Sequence, residues 1–432
     1  MKTVNFISLG CSKNTVDSES IAGQLISKGF DVEFDSKDED FDYVLINTCG
    51  FIDKAKEESV NTILSYVAYR KKKKKSFNII VFGCLAQRYK EDLAKEIPEI
   101  DKIFGLMQQK DIIAYIDERE EVNEQAERKL STPNHYAYVK ISEGCDRHCS
   151  FCAIPMIRGR HISRPVEDIV SEVKALCKRG VKEVILIAQD TSYYGLDLYG
   201  ERRLYSLLTE LCKTDIHWIR LQYSYPNQFP QEVLDLMASE PKICNYLDMP
   251  LQHINDRILQ SMNRNITGRE VKDLIEKIRK KVPDIALRTT FIVGYPTETR
   301  EEFSDLKDFV GQTEFDRMGA FTYSKEEGTK AAELKDNISE KEKQKRLDEL
   351  TLIQQDISFM LNQKKIGGTY EILIDREEEE YFVGRTQYDS PEVDNEVLIA
   401  KSQYPALSIG EFYKAKIVSA EAFDLMGEIV SE

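Results

Sequence analysis

Short apolar runs recur along most of this 432-residue chain, and helical stretches separate them. Near the amino end, "VNFISLG", "YVLINT" and "NIIVFG" are β-branched or aromatic and bounded by Gly or polar residues, the signature of strands buried on both faces. Between them, "DSESIAGQLISKG" and "DKAKEESVNTILSYVAYR" carry a helical pattern. Strand–helix–strand order requires a parallel sheet with helices on both faces, so the chain opens as an α/β unit. The alternation resumes from 135 to about 325 with six strand candidates, "YAYVKI", "EVILIA", "WIRLQ", "YLDM", "LRTTFIV" and "MGAFT". Six βα units predict a partial (βα)6 barrel with its site at the carboxyl ends of the strands, an open doubly wound sheet being the alternative. One long amphipathic helix follows at 339–365, then five short alternating strands that predict a small β-barrel of the oligomer-binding type. The division is therefore 1–117, a polar linker at 118–134, 135–365 and 366–432.

Composition narrows the class. Hydrophobic residues make up 41% and charged residues 31%, as in a soluble globular protein. No apolar run approaches the roughly 18 residues of a membrane helix, and the start lacks the apolar core of a signal peptide. No membrane role and a cytoplasmic location are expected. The net charge of −15 argues against a nucleic-acid-coating protein and suits a basic protein partner. The basic run Arg70 to Lys75 reads as a solvated helix end. Nine cysteines in such a chain point to metal ligands and buried thiols rather than disulfides.

Three of those cysteines crowd one stretch, "EGCDRHCSFCAIP". Cys145, Cys149 and Cys152 follow a C-x3-C-x2-C spacing directly after an apolar strand. Thiolates suit zinc or iron–sulfur clusters. Zinc wants a fourth ligand, and only His148 and His161 are near in sequence. A four-iron cube held by three cysteines instead keeps one iron open to chelate a substrate. A structural zinc loop is the alternative reading.

Cys11, Cys49 and Cys84 form a second set. Each lies just past the carboxyl end of a predicted parallel strand, where ligands of such sheets bind. Singly, each would read as a buried small hydrophobe. Together they suggest a second centre, again one ligand short. Cys177, Cys212 and Cys244 lack partner spacing and read as packing residues.

The C-x3-C-x-aromatic-C pattern, with Phe151 as the aromatic, resembles the loop of the radical S-adenosylmethionine (SAM) enzymes. "SLGCSKNTVDSE", "INTCGFI" and "VFGCLAQRY" resemble the amino-terminal domain of the methylthiotransferases, and "EGCDRHCSFCAIPMIRGRHISRP" their radical-SAM loop. "YLDMPLQHINDRILQSMNR", "LRTTFIVGYPTETREEF" and "FTYSKEEGTKAAEL" carry the likeness through the barrel, and the carboxyl end resembles their TRAM domain. The resemblance covers essentially the whole chain. It implies two [4Fe-4S] clusters and SAM as cofactors. SAM would be cleaved at the cluster of Cys145, Cys149 and Cys152, the catalytic trio, giving a radical that takes hydrogen from a substrate carbon. The cluster of Cys11, Cys49 and Cys84 would hold a sulfur donor methylated by a second SAM, and an electron donor is also required. Phe151, Gln189 and Asp190 are the candidate cofactor contacts.

Two branches of the family compete. One modifies an adenosine in tRNA; the other modifies an aspartate β-carbon in ribosomal protein S-twelve. "GCSKNTVDSE" and "LIAQDTSYYG" resemble the second branch, since the tRNA enzymes tend to carry Asn where Asp190 stands. Charge agrees: residues 366–432 hold five Lys and Arg against fifteen Asp and Glu, a net of −10. A module gripping tRNA should be basic, whereas an acidic one attracts a basic ribosomal protein. A monomer, acting on this protein free or on the small subunit, is expected. Asp190 could instead cap a helix. His253, beside Gln252, is either a contact or a structural hydrogen-bonding residue. Arg158 and Arg160 are candidates to meet the carboxylate of SAM or of the substrate. Thr297 stands where the family often has Gly.

Overall fold

The computed structural model describes residues 1–36, 40–73, 76–117, 119, 127–404 and 406–430. Of the expected linker, 118 and 120–126 lie outside the described residues.

The amino-terminal sheet contains β1 (Thr3–Ser8), β2 (Asp31–Phe34), β3 (Tyr43–Thr48), β4 (Asn78–Gly83) and β5 (Lys102–Ile103). All are parallel, in the order β2-β1-β3-β4-β5. The order reverses between β1 and β3, so crossover helices cover both faces and a switch point opens at the carboxyl ends of those two strands. Every residue of β3 is buried. Its side chains alternate, Leu45 entering the core on one face and Val44 and Ile46 that on the other.

The second sheet holds β6 (Tyr136–Lys140), β9 (Glu183–Ile187), β10 (Trp218–Leu221), β11 (Ile243–Asp248), β12 (Ala286–Val293) and β13 (Arg317–Thr322). A two-stranded ribbon, β7 (Ser142–Glu143) with β8 (Ile162–Ser163), flanks the cysteine loop. The six parallel strands follow one another without reversal, β13-β12-β11-β10-β9-β6. That order is the partial barrel and excludes the doubly wound alternative, in which the order would reverse. Ala137, Val139, Val184, Leu186, Ile219 and Leu221 join the large core on the helix side. Tyr136, Tyr138, Ile185 and Ile187 line the opposite, inner face.

The helix Glu340–Gln363, capped by Ser339, leads to a closed barrel of β14 (Thr369–Glu377), β15 (Tyr381–Thr386), β16 (Glu396–Ala400), β17 (Phe412–Ala420) and β18 (Asp424–Ile429). The segment between β15 and β16 enters the large barrel from this side. Asp389 pairs with Arg317, Ser390 accepts from Gln222 at 2.6 Å, Glu392 accepts from Tyr136 at 3.2 Å, and Asp394 accepts from Tyr246 at 2.7 Å and Arg288 at 3.3 Å. Beside it the fully buried Arg220 donates to Glu183 at 2.7 Å, and Arg385 bridges Glu183 and Asp375. Asp375, Asp389 and Asp394 are spent inward on partners in the large barrel or beside it, but Arg385 is buried with them, while Glu371, Glu377, Glu378, Glu379, Glu380 and Glu392 stay exposed, so the module remains acidic outward.

Candidate metal centres

Cys11, Cys49 and Cys84 leave three neighbouring strands, β1, β3 and β4, at the switch-point end of the sheet. Cys11 sits at the N-cap of the helix Ser12–Ser27 and Cys84 opens the helix Cys84–Arg88. The loops touch: a Cβ on Gly10, whose φ is +94°, would lie 2.9 Å from the Cys49 sulfur, so only glycine fits. Asn14 knits the loops, donating to Leu9 O at 2.8 Å and Thr48 O at 3.2 Å. Burial pushes the Cys84 thiol up to about 11 and raises that of Cys49.

The other trio lies on the single loop between β7 and the helix Ile154–Arg158. Gly144 (φ +70°) lets this loop pass against the backbone of Arg160. The Arg147 N–H points at the Cys145 sulfur at 3.4 Å, and Arg264, 4% exposed, donates to the Cys149 sulfur at 3.4 Å. Tyr225 is sandwiched between the guanidinium groups of Arg147 and Arg264, each 4.1 Å from its ring centre, with its hydroxyl 3.9 Å from the Cys149 sulfur. Burial drives the Cys145 and Cys152 thiols up to about 12. None of these arginine and tyrosine contacts had a signal in sequence spacing.

The two trios meet along one seam. Cys84 packs with Ala153, the residue after Cys152, and with Ile157 and Leu106. Arg158, 5% exposed, crosses the seam. It donates to the Cys84 sulfur at 3.3 Å, to Asn14 Oδ1 at 2.6 Å and to Glu143 at 2.8 Å, and lies 3.7 Å from Asp17. Asp17 and Glu143 both receive Lys140. On the far side, Lys56 and Arg88 clamp the buried Glu326 at 2.9 and 2.6 Å. The amino-terminal unit is thus tied to the barrel beside its first strand and again beyond its last.

Other candidates fall as follows. Asp190, buried after β9, makes no side-chain cap; it accepts from Arg147 at 2.9 Å and Ser192 at 2.6 Å, linking the strand end to the cysteine loop. Gln189 lies partly buried beside it. Phe151 packs on the apolar group of Ile258, Met262, Tyr295 and Tyr323. His148 is exposed, and His161 turns to Ser163 at 3.0 Å. His253 is wholly buried between Glu298 (3.0 Å) and the Asn255 N–H (3.0 Å), a structural arrangement, while Gln252 keeps a buried amide oxygen without a partner. Arg158 is held in this network, and Arg160 is 89% exposed with Asp146 at 3.6 Å. Thr297 adopts φ +70°, a region that favours glycine; Arg257 pins it through Oγ1 at 3.1 Å and its carbonyl at 2.8 Å. Cys244 is buried and Cys177 and Cys212 pack on the main core.

Among the described residues no three His, Cys, Asp or Glu side chains converge as a single-ion site requires. A four-iron cube asks for something different, each thiolate meeting a separate iron. The donor set fits such a group: soft sulfurs in threes, with N–H groups aimed at Cys84, Cys145 and Cys149 to offset thiolate charge. The raised thiols fit too, since a metal ion supplies the positive charge that burial withholds. Buried nitrogens of Arg147 and Arg264 without partners add donors beside the barrel trio.

Comparison with known proteins agrees. Residues 139–310 match the radical SAM superfamily, residues 3–105 match uncharacterized protein family UPF0004, and residues 366–430 match the TRAM domain. The ribosomal protein uS12 methylthiotransferase RimO of Cytophaga hutchinsonii is 51% identical over 429 residues, 99% of this chain and 98% of that one. Its counterpart in Phocaeicola vulgatus is 50% identical over 99% of both. Among solved structures, the radical SAM methyltransferase TsrM from Kitasatospora setae aligns with a TM-score of 0.56 at 14% identity, over 74% of this chain and 73% of that one. The cobalamin-dependent SAM radical enzyme OxsB aligns at 0.52 and 14%, over 82% and 56%. At such identity these two speak for the fold alone, whereas the relatives near 50% decide the family. The chain belongs to the RimO family of radical SAM methylthiotransferases.

Proposed function

We propose that the protein adds a methylthio group to an aspartate β-carbon of ribosomal protein uS12, with SAM and two [4Fe-4S] clusters as cofactors. The observation that carries this reading is the seam: the family match spans the whole chain, and Cys84 packs beside the residue that follows Cys152. Cys145, Cys149 and Cys152 would hold one cluster and Cys11, Cys49 and Cys84 the other. When bound, the first supplies the electron that cleaves SAM and the second an open iron for the sulfur to be transferred. The chain's part is to bury, orient and neutralise. Arg264 and Arg147 steady the barrel trio, Asp190 fixes Arg147, and Arg158 ties the second trio to the first. Gln189 and Phe151 lie where cofactor contacts are expected.

A cavity of about 1210 Å³ opens beside this seam, lined by Val16, Asp17, Lys140, Glu143 and Arg164 among others. An external electron donor and sulfur donor complete the reaction. A monomer meeting uS12 in the cytoplasm suits the reading, and among the described residues no helix is long and apolar enough to cross a membrane. The units 1–117, 135–365 and 366–432, with the linker 118–134, are the working parts; limited proteolysis tests the boundaries.

The test is direct. The reconstituted, reduced protein is incubated with SAM and a sulfur source, then uS12 and tRNA nucleosides are weighed. A gain of one methylthio group on uS12 is expected; the same gain on adenosine alone overturns the reading.

A further inference from the structure

Around the seam the charged side chains are paired. Asp17 has Lys140, Glu143 has Arg158, Asp190 has Arg147, and Asp248 has Arg288. Lys13 differs. It stands two residues past Cys11, is 4% exposed, and among the described residues has no carboxylate within ion-pair distance. Its ammonium instead rests 3.1 Å from the centre of the Tyr223 ring. A buried ammonium without a carboxylate partner is costly, and a ring face offsets only part of that cost.

The surroundings are built rather than accidental. Tyr223 follows β10 with φ +61°; its N–H donates to Asp248 at 3.1 Å and its carbonyl accepts from the Thr191 N–H at 3.0 Å, which fixes the ring at the barrel mouth. Val16, one turn beyond Lys13 on the same helix face, packs on the inner-face residues Tyr136, Tyr138, Ile185 and Ile187. Lys13 therefore faces the space between the amino-terminal trio and the barrel. Its helix has no acidic residue in its first turn and no side-chain cap, so the helix end adds positive potential at the same spot.

We propose that the Lys13 ammonium is a subsite for the side-chain carboxylate of the residue to be modified. The inference rests on the function proposed above and names what recognises its substrate. In an aspartate the β-carbon is bonded directly to the carboxylate, so a cation that holds the carboxylate also places the reacting carbon. An asparagine in the same place would leave the buried ammonium unpaired and be rejected. A second carboxylate source is SAM itself, and the experiment separates the two.

The two-cluster protein is used without reductant, so that binding is read without turnover. Wild type, K13Q and K13R are titrated with uS12 carrying the target Asp, and with uS12 carrying Asn there. Wild type is expected to bind the Asp form at least tenfold more tightly than the Asn form. K13Q should bind both alike, at the wild-type Asn level, with iron content and SAM affinity unchanged, and K13R should keep part of the preference. Retained discrimination in K13Q, an equal loss for both substrates, or a fall in SAM affinity instead would each overturn the subsite. Failure of wild type to bind uS12 at all, with tRNA bound in its place, would overturn the proposed function itself.

Discussion

The two cysteine trios are assembled in opposite ways. Cys145, Cys149 and Cys152 lie within eight residues on one loop, and their spacing is a property of the sequence. Cys11, Cys49 and Cys84 are some 35 residues apart and share one end of the sheet because β1, β3 and β4 are neighbours in it. The first trio needs a loop to be held; the second needs a domain to be folded. Each is steadied by arginine, Arg264 for one and Arg158 for the other, but only Arg158 reaches across to its counterpart's side.

The largest effect should come from removing one trio at a time. The triple alanine variant of Cys145, Cys149 and Cys152 is expected to lose SAM cleavage and product together. That of Cys11, Cys49 and Cys84 should still cleave SAM but make no methylthiolated product. Each should bind about four irons where the wild type binds about eight. Iron analysis with deoxyadenosine quantification checks both, and zinc in place of iron and sulfide would break the comparison altogether.

Next in size is Arg158→Gln. The change leaves Glu143 and Asp17 buried with one fewer cation, and losing one partner of such a network costs about 3–5 kcal/mol. A fall in thermal midpoint is expected, with iron lost first from the amino-terminal trio. Loss from the barrel trio first would show that Arg158 belongs to the wrong side of the pair. Ile46→Ala, a wholly buried site in β3 just before Cys49, should cost about 2–5 kcal/mol and again loosen the sheet-built trio while sparing the loop-built one. Hydrogen exchange along β3 and along the 145–152 loop would separate the two responses.

How far the sequence could reach follows the same division. The barrel strands, the closed carboxyl-terminal barrel and the loop trio are legible because periodicity and spacing are local. The amino-terminal trio is legible only as a coincidence at three strand ends; the strand order that joins them is a tertiary fact. Arg158 could be singled out, but its partners could not, because Glu143 is near in sequence while Cys84, Asn14 and Asp17 arrive from another domain. The acid count of residues 366–432 carries the sign of that module's surface but not its detail, since composition does not tell Asp389 and Asp394, buried against Arg317 and Arg288, from exposed residues such as Glu379. Lys13 stands in a recognisable motif, yet its burial without a carboxylate partner among the described residues shows only in the fold.

The smallest effect expected is one of pH, and it acts on the same seam. Burial alone would raise the Glu143 carboxyl, but Lys140 and Arg158 outweigh it and hold the group down at about 2, against an ordinary value of 4.5. A carboxyl depressed on folding stabilises the folded chain fully above its unfolded value. That contribution shrinks as pH falls from about 4.5 toward 2, as the unfolded state takes up a proton that the folded one refuses. Denaturant titrations at pH 7, 4.5 and 3 should therefore show wild type losing stability over the acid step. Glu143→Gln should start lower, with Lys140 and Arg158 sharing Asp17 alone, and fall less steeply between 4.5 and 3. An identical acid slope in the two proteins would mean that Glu143 is not protonated differently in the folded and unfolded chains, and the seam would then owe its charge balance to Asp17 instead.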